Sequence, residues 1–153
     1  MPLNDLIASN AIIPALKVNS KKQVLQELAA RASVLSGQSE RAIFDILMQR
    51  EKLGSTAIGN GVAIPHGKMA ALTRLFGLFA RLDRAVDFEA LDNQPVDLVF
   101  LLLAPEGAGA DHLKALARIA RLLRDPSVAQ KLRASHDAES IYAVLALPSA
   151  SAA

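Results

Sequence analysis

The stretch from Val96 to Ala104 (VDLVFLLLA) constrains this chain more than any other. Only Asp97 interrupts its apolar character. It has the length of a strand and falls far short of the roughly 20 apolar residues that cross a bilayer as a helix. A strand without polar alternation is buried on both faces, so something must cover each side of it. The covering elements are helices when helical and extended segments interleave along the chain, and that is the pattern here.

Ser20 with Gln23 three residues on is a capping-box pattern. Val24, Leu25, Leu28, Ala32 and Leu35 follow at helical spacing and Gly37 supplies a stop, which predicts a helix over 21–36. Ser39 opens a second helix with Ile43, Phe44, Ile46 and Leu47 on its apolar face. Arg50 and Lys52 suit the dipole of its last turn, and Gly54 ends it. The turn between the two helices is short, so they are neighbours in space. Asp111 reads as the cap of a third helix, with Leu113, Leu116, Ala117, Ile119, Ala120 and Leu123 facing one way. Asp125-Pro126 stops it and starts a fourth. A fifth, over 138–146, has Asp137 as its cap.

The remaining segments carry weaker signals. Residues 3–8 read as a short opening helix and Ala11 to Val18 as a strand interrupted by Pro14. Two short extended pieces flank a turn at Gly59-Asn60-Gly61. Residues 72–82, broken by Gly77, read as a strand, Asp92-Asn93 as a turn, and Pro105 to Ala110 as a loop. The expectation is an α/β fold: a single domain over 1–148, with a mixed β-sheet flanked by helices, and a flexible tail at 149–153.

At 153 residues with 52% hydrophobic content, the chain suits one folded domain and is not a disordered one. The absence of cysteine excludes disulfides, thiolate metal sites and cysteine nucleophiles. The N-terminal MPLNDLIASN lacks the basic start of a secretory signal, so the expected location is cytoplasmic, without membrane insertion. Net charge is +2 and the basic residues are scattered. Arg118, Arg121 and Arg124 fall at three-residue spacing, but a solvated helix face explains them better than a nucleic-acid stripe, which favours stacking aromatics. Three histidines without HxxxH spacing make a poor zinc site. There is no GxxxxGK[ST] loop, no dinucleotide fingerprint and no GxSxG elbow, so no cofactor or metal is expected.

Chemistry concentrates in GVAIPHGK, Gly61 to Lys68. Pro65 favours extended backbone at Ile64. Gly67 allows a turn directly after the histidine. His66 is therefore expected at the end of a short strand, where the chain breaks into a loop. Taken alone, it reads as a surface loop histidine. A neutral imidazole is nevertheless a competent nucleophile near pH 7, and with a phosphoryl electrophile it gives a labile phosphohistidine. Phosphoryl transfer asks the protein mainly for positioning and for charge that stabilises the spread oxygens. Arg50 offers a guanidinium suited to phosphate. Ser55, Thr56 and Asn60 offer neutral donors for binding it. Each also has an ordinary reading, a solvated helix-end charge for Arg50 and turn chemistry for Ser55 and Thr56. His112, in the first turn of the third helix, stays neutral beside the positive dipole end and can donate one N–H to a phosphoryl oxygen. The tip of that helix is expected to meet His66. His136 carries no functional expectation.

Leu47 to Lys68 (LMQREKLGSTAIGNGVAIPHGK), together with Phe100 to Asp125 (FLLLAPEGAGADHLKALARIARLLRD), resembles the fructose–mannitol-type IIA component of the bacterial phosphoenolpyruvate phosphotransferase system (PTS), and within it the nitrogen-regulatory branch. The similarity spans residues 3–147. The resemblance implies a mixed sheet wrapped by helices, and a phosphoryl group taken by His66 from a phosphorylated HPr-like carrier. Arg50 and His112 match the family arginine and the second histidine beside that site. Ala57 stands where many relatives carry glycine. For the nitrogen branch, the resemblance implies a regulatory phosphocarrier whose targets include potassium-transport proteins or sensor kinases. The alternatives are a sugar-transport IIA that passes phosphate to a IIB component, and a non-catalytic binding module with a vestigial site. The lack of a fused IIB, IIC or HPr segment favours the first.

Overall fold

The computed structural model describes residues 3–146, and the tail expected at 149–153 lies outside them. In chain order the elements are strand β1 (Ile7–Leu16), helices α1 (Lys21–Ser36) and α2 (Glu40–Lys52), strands β2 (Ala57–Gly59), β3 (Val62–Ala63), β4 (His66–Met69), β5 (Phe76–Val86) and β6 (Val96–Pro105), then helices α3 (Ala110–Arg124), α4 (Pro126–Ala134) and α5 (Ala138–Ala146). They form one mixed sheet in the order β1-β5-β6-β3-β2, with β4 also paired to β6. The parallel pairs are β1/β5, β3/β6 and β4/β6, and the antiparallel pairs are β5/β6 and β2/β3. The expected α/β architecture is the observed one.

β6 is the central strand that its sequence demands. Leu98 to Ala104 are fully buried, with the β5 ladder on one edge and β3 and β4 on the other. The helix caps follow the sequence closely. The Ser20 hydroxyl accepts from the Gln23 N–H at 3.2 Å, and Gly37 takes the left-handed φ of 77° that ends α1. The Ser39 hydroxyl caps α2, and the carboxylates of Asp125 and Asp137 cap α4 and α5.

Four local expectations change. Residues 4–6 form a turn, not a helix, and β1 starts at Ile7. The Leu3 N–H bonds the Leu145 carbonyl and β1 pairs with β5, so tertiary contacts override local helix preference. Pro14 is tolerated because β1 is an edge strand. β5 runs later than expected, over 76–86, and Gly77 does not break it. Instead, a Cβ there would stand 2.3 Å from the Leu6 carbonyl oxygen, so the glycine permits close strand approach. Asp111 is not the cap of α3: the helix starts at Ala110 behind Gly109 (φ 55°), and Asp111 lies in its first turn. The loop at 105–110 contains a short 3-10 turn over 106–108.

The fourth change concerns His66. It opens β4 instead of ending a strand. Val62 pairs with Leu98 and His66 with Leu102, so β3 and β4 keep one register along β6 on either side of Ile64-Pro65. Gly67 does not turn the chain. A Cβ on it would lie 2.2 Å from Ile46 Cγ2, so its absence lets α2 pack directly on β4. That contact brings the end of α2, and with it Arg50, against His66.

Candidate functional site

Both ring nitrogens of His66 are held. Nδ1 lies 2.8 Å from the Ile64 carbonyl oxygen. A carbonyl only accepts, so Nδ1 carries the hydrogen. On the other side, Arg50 Nε donates to His66 Nε2 at 3.2 Å. A guanidinium only donates, so Nε2 carries the lone pair. The imidazole is thus fixed as the Nδ1–H tautomer with its nucleophilic nitrogen toward Arg50. Arg50 is itself held by its Nη1, which donates to the Gly54 carbonyl at 2.9 Å.

His112 comes from the far side, in the first turn of α3, and its ring centroid lies 5.6 Å from that of His66 at a tilt of 54°. It is buried, at 6% exposure, and its Nδ1 has no hydrogen-bond partner among the described residues. Burial pushes the pKa of His66 below the ordinary histidine value; the nearby Arg50 charge adds to this, while the Ile64 carbonyl and Glu51 oppose it. Burial lowers His112 as well, helped by the charges of His66 and Lys68. Both rings are therefore neutral at pH 7. A guanidinium, a lysine and two neutral imidazoles meet at a helix N-terminus, and such a cluster accepts a tetrahedral dianion without first losing a proton.

The structure brings His66, Arg50 and His112 together. It turns the other three candidates elsewhere. The Ser55 hydroxyl donates to the Phe88 carbonyl at 2.5 Å and accepts from the Ala57 N–H. The Thr56 side chain is buried and its hydroxyl donates to the Glu51 carboxylate. Asn60 sits at the β2–β3 turn with φ 56°, where its N–H meets Asp92 Oδ2 and its carbonyl accepts from Arg133. Along β6 that turn is about 13 Å from the level of His66. As placed, neither hydroxyl has a hydrogen left for phosphate, and Asn60 is out of reach. The structure thus places the groups of these three residues on other partners, away from the His66 ring.

Sequence reading missed a pair behind the site. Glu51, beside Arg50, is 9% exposed, and its Oε2 lies 2.7 Å from Lys21 Nζ. Lys21 stacks its charge over the Phe88 ring, 5.3 Å from the centroid. The available signal was an acid in the last turn of α2, where the dipole disfavours it.

Among the described residues no cluster of three His, Cys, Asp or Glu side chains could hold a metal, and no helix is long and apolar enough to cross a membrane. Arg118 forms a paired contact with Asp5, with both nitrogen–oxygen distances at 2.8 Å, which breaks the basic stripe on α3.

An open mixed sheet flanked by five helices is the frame of a phosphotransferase-system IIA domain. The match is explicit: residues 5–147 match the family described as phosphoenolpyruvate-dependent sugar phosphotransferase system, EIIA 2, and the chain belongs to that family. Within it, the chain is 74% identical over 153 residues to a nitrogen regulatory protein of Bradyrhizobium diazoefficiens, covering all of both chains. The crystal structure of nitrogen regulatory protein IIA-Ntr from Neisseria meningitidis superposes with a TM-score of 0.88 at 36% identity, over 94% of this chain and 98% of that one. The IIA mannitol structure from Escherichia coli shares the fold, with a TM-score of 0.76 at 22% identity over 91% of this chain and 98% of that one.

Proposed function

We propose that this protein is a cytoplasmic phosphohistidine carrier of the nitrogen-regulatory branch, loaded on His66 Nε2 by an HPr-like donor. The observation that carries the reading is the double grip on His66, which leaves the ring's lone pair on Nε2, where it accepts from Arg50 Nε. In the transfer, the Nε2 lone pair attacks phosphorus as the donor's P–N bond breaks, and that electron pair returns to the donor imidazole. Arg50 Nε–H moves its hydrogen bond from the nitrogen to a phosphoryl oxygen. His112 donates to a second oxygen from the tip of α3. The hydrogen stays on Nδ1, which goes on donating it to the Ile64 carbonyl. The phosphorylated ring therefore carries positive charge and releases the phosphoryl group readily to an acceptor.

Two exposed leucines support docking of a protein donor at this site. Leu53 follows α2 at 84% exposure and Leu113 follows His112 at 67%. Apolar side chains beside a charged reacting centre are what a macromolecular donor would cover. The loaded form would present a dianion between them, changing which regulated targets, such as potassium-transport proteins or sensor kinases, bind there. The high identity to a nitrogen regulatory protein favours this branch over a sugar-transport IIA.

The test is phosphorylation by phosphoenolpyruvate, enzyme I and HPr, or their nitrogen-branch counterparts, read by intact mass. Wild type should gain one acid-labile phosphoryl group and His66→Ala none. No gain with either donor set would leave a binding module with a vestigial site. Rapid discharge to a sugar IIB component would instead assign the protein to sugar uptake.

A further inference from the structure

His66 is gripped at both nitrogens, and the two grips trace back to one residue, Glu51, the first through its buried carboxylate and the second through its backbone carbonyl. On the Nδ1 side, the hydrogen goes to the Ile64 carbonyl. The Ile64 N–H in turn bonds the Thr56 carbonyl at 3.0 Å. Thr56 presents both its hydroxyl and its backbone N–H to Glu51. On the Nε2 side, the grip is Arg50, the residue before Glu51, whose guanidinium is braced on the carbonyl of Gly54. The Gly54 N–H closes the turn onto the Glu51 carbonyl at 3.1 Å. The carboxylate thus ties the end of α2 to the start of the extended segment that leads to His66.

Burying this carboxylate is costly unless its charge is matched. Lys21, from the first turn of α1, matches it at 2.7 Å with only 16% of its own side chain exposed. A salt bridge serving stability alone has no need to stand directly behind a reacting group. Hydrophobic residues of similar volume often serve stability as well or better.

We propose that Glu51, neutralised by Lys21 and bonded to Thr56, is a positioning residue that sets the His66 tautomer. It keeps the Ile64 carbonyl, an acceptor, on the Nδ1 side of the ring and the Arg50 guanidinium, a donor, on the Nε2 side, a pairing that only the Nδ1–H ring satisfies. This rests on the phosphocarrier reading for its consequence on rate, but the tautomer itself is a property of the unloaded protein. Thr56 then matters for its hydroxyl more than for its bulk.

The test uses four full-length proteins: wild type, Glu51→Gln, Thr56→Val and Thr56→Ser. Two-bond proton–nitrogen correlation spectra of the unphosphorylated, nitrogen-labelled proteins read the His66 tautomer. Phosphoryl uptake from the HPr-like donor is timed on the same samples. Wild type and Thr56→Ser should show the Nδ1–H ring and similar uptake rates. Glu51→Gln and Thr56→Val should show mixed tautomers and uptake slowed on the order of tenfold to a hundredfold, as expected for a displaced reacting group. A folded Glu51→Gln with the wild-type tautomer and rate would overturn the proposal. So would Thr56→Ser being the more impaired of the threonine pair, because valine keeps the volume and serine keeps the hydroxyl. If Glu51→Gln does not fold, the threonine pair decides. If wild type takes up no phosphate, the carrier reading fails while the tautomer comparison still judges the role of Glu51.

Discussion

The β3–β4 line along β6 carries an arginine near each end, and the two are used in opposite ways. At the β2–β3 end, Arg133 donates from Nε and Nη2 to the Asp97 carboxylate at 2.9–3.1 Å and from Nη2 to the Asn60 carbonyl at 2.7 Å. Its charge is spent on a fixed carboxylate. At the β4 end, Arg50 contacts a neutral nitrogen and a carbonyl, and no carboxylate among the described residues lies within ion-pair distance of it. The carboxylate next to it in sequence is already matched by Lys21. One arginine closes a turn. The other keeps an unneutralised positive charge beside a neutral imidazole, which suits it to receive an anion.

The sharpest way to break this contrast is to delete each arginine. Arg50→Ala should slow phosphoryl uptake by about a hundredfold to a thousandfold, the usual loss for one charge-stabilising donor, with little change in melting temperature. Arg133→Ala should do the reverse, leaving uptake unchanged and lowering stability by about 1 kcal/mol in chemical denaturation, since its ion pair is partly exposed. Equal effects on uptake would dissolve the distinction.

Next in size is Gly67→Ala. The added methyl meets Ile46 Cγ2, part of a β-branched side chain with little rotamer freedom in a helix. We expect a loss of about 1–3 kcal/mol by denaturant unfolding, together with slowed uptake, because α2 and Arg50 must move away from β4. Unchanged uptake in a destabilised variant would show that the helix contact does not set the site.

The smallest expected effect is in pH. Burial holds the pKa of both His66 and His112 below the ordinary 6.5. Uptake should therefore persist at pH values where a free histidine is half protonated, and fall only below pH 6.5. The same shift bears on folding. The neutral rings favour the native state fully above pH 6.5, and that contribution is lost as pH drops from there through the folded-state values. Melting temperature should decline over that acid window in wild type, and less steeply in His66→Gln. A wild-type uptake profile centred at or above 6.5 would contradict the burial of the nucleophile.

Much of this was legible because local chemistry and global fold agree. The continuous apolar run of β6 demanded cover on two faces, and the caps at Ser20, Ser39, Asp125 and Asp137 fix helix starts by hydrogen bonds within a few residues. That His66, Arg50 and His112 come together in space was also legible, through the chemistry of each residue and through the family pattern. The failures share one cause: glycines and polar side chains whose roles depend on distant parts of the chain. Gly67 and Gly77 look like turn residues locally, yet each makes room for a neighbour that sequence does not place there. The hydroxyls of Ser55 and Thr56 look unengaged until Phe88 and Glu51 arrive to accept their hydrogens. Lys21 and Glu51 are thirty residues apart, and nothing local marks them as partners.

The missing side chain at Gly67 has one further consequence. The helix that carries Arg50 rests on the strand that carries His66 with no flexible spacer between them. The Arg50–His66 pair is therefore mounted on two elements in direct contact. On the carrier reading, partners distinguish the two forms of this protein by the electric field at an unchanged surface. On that reading, signalling by this protein needs no moving part.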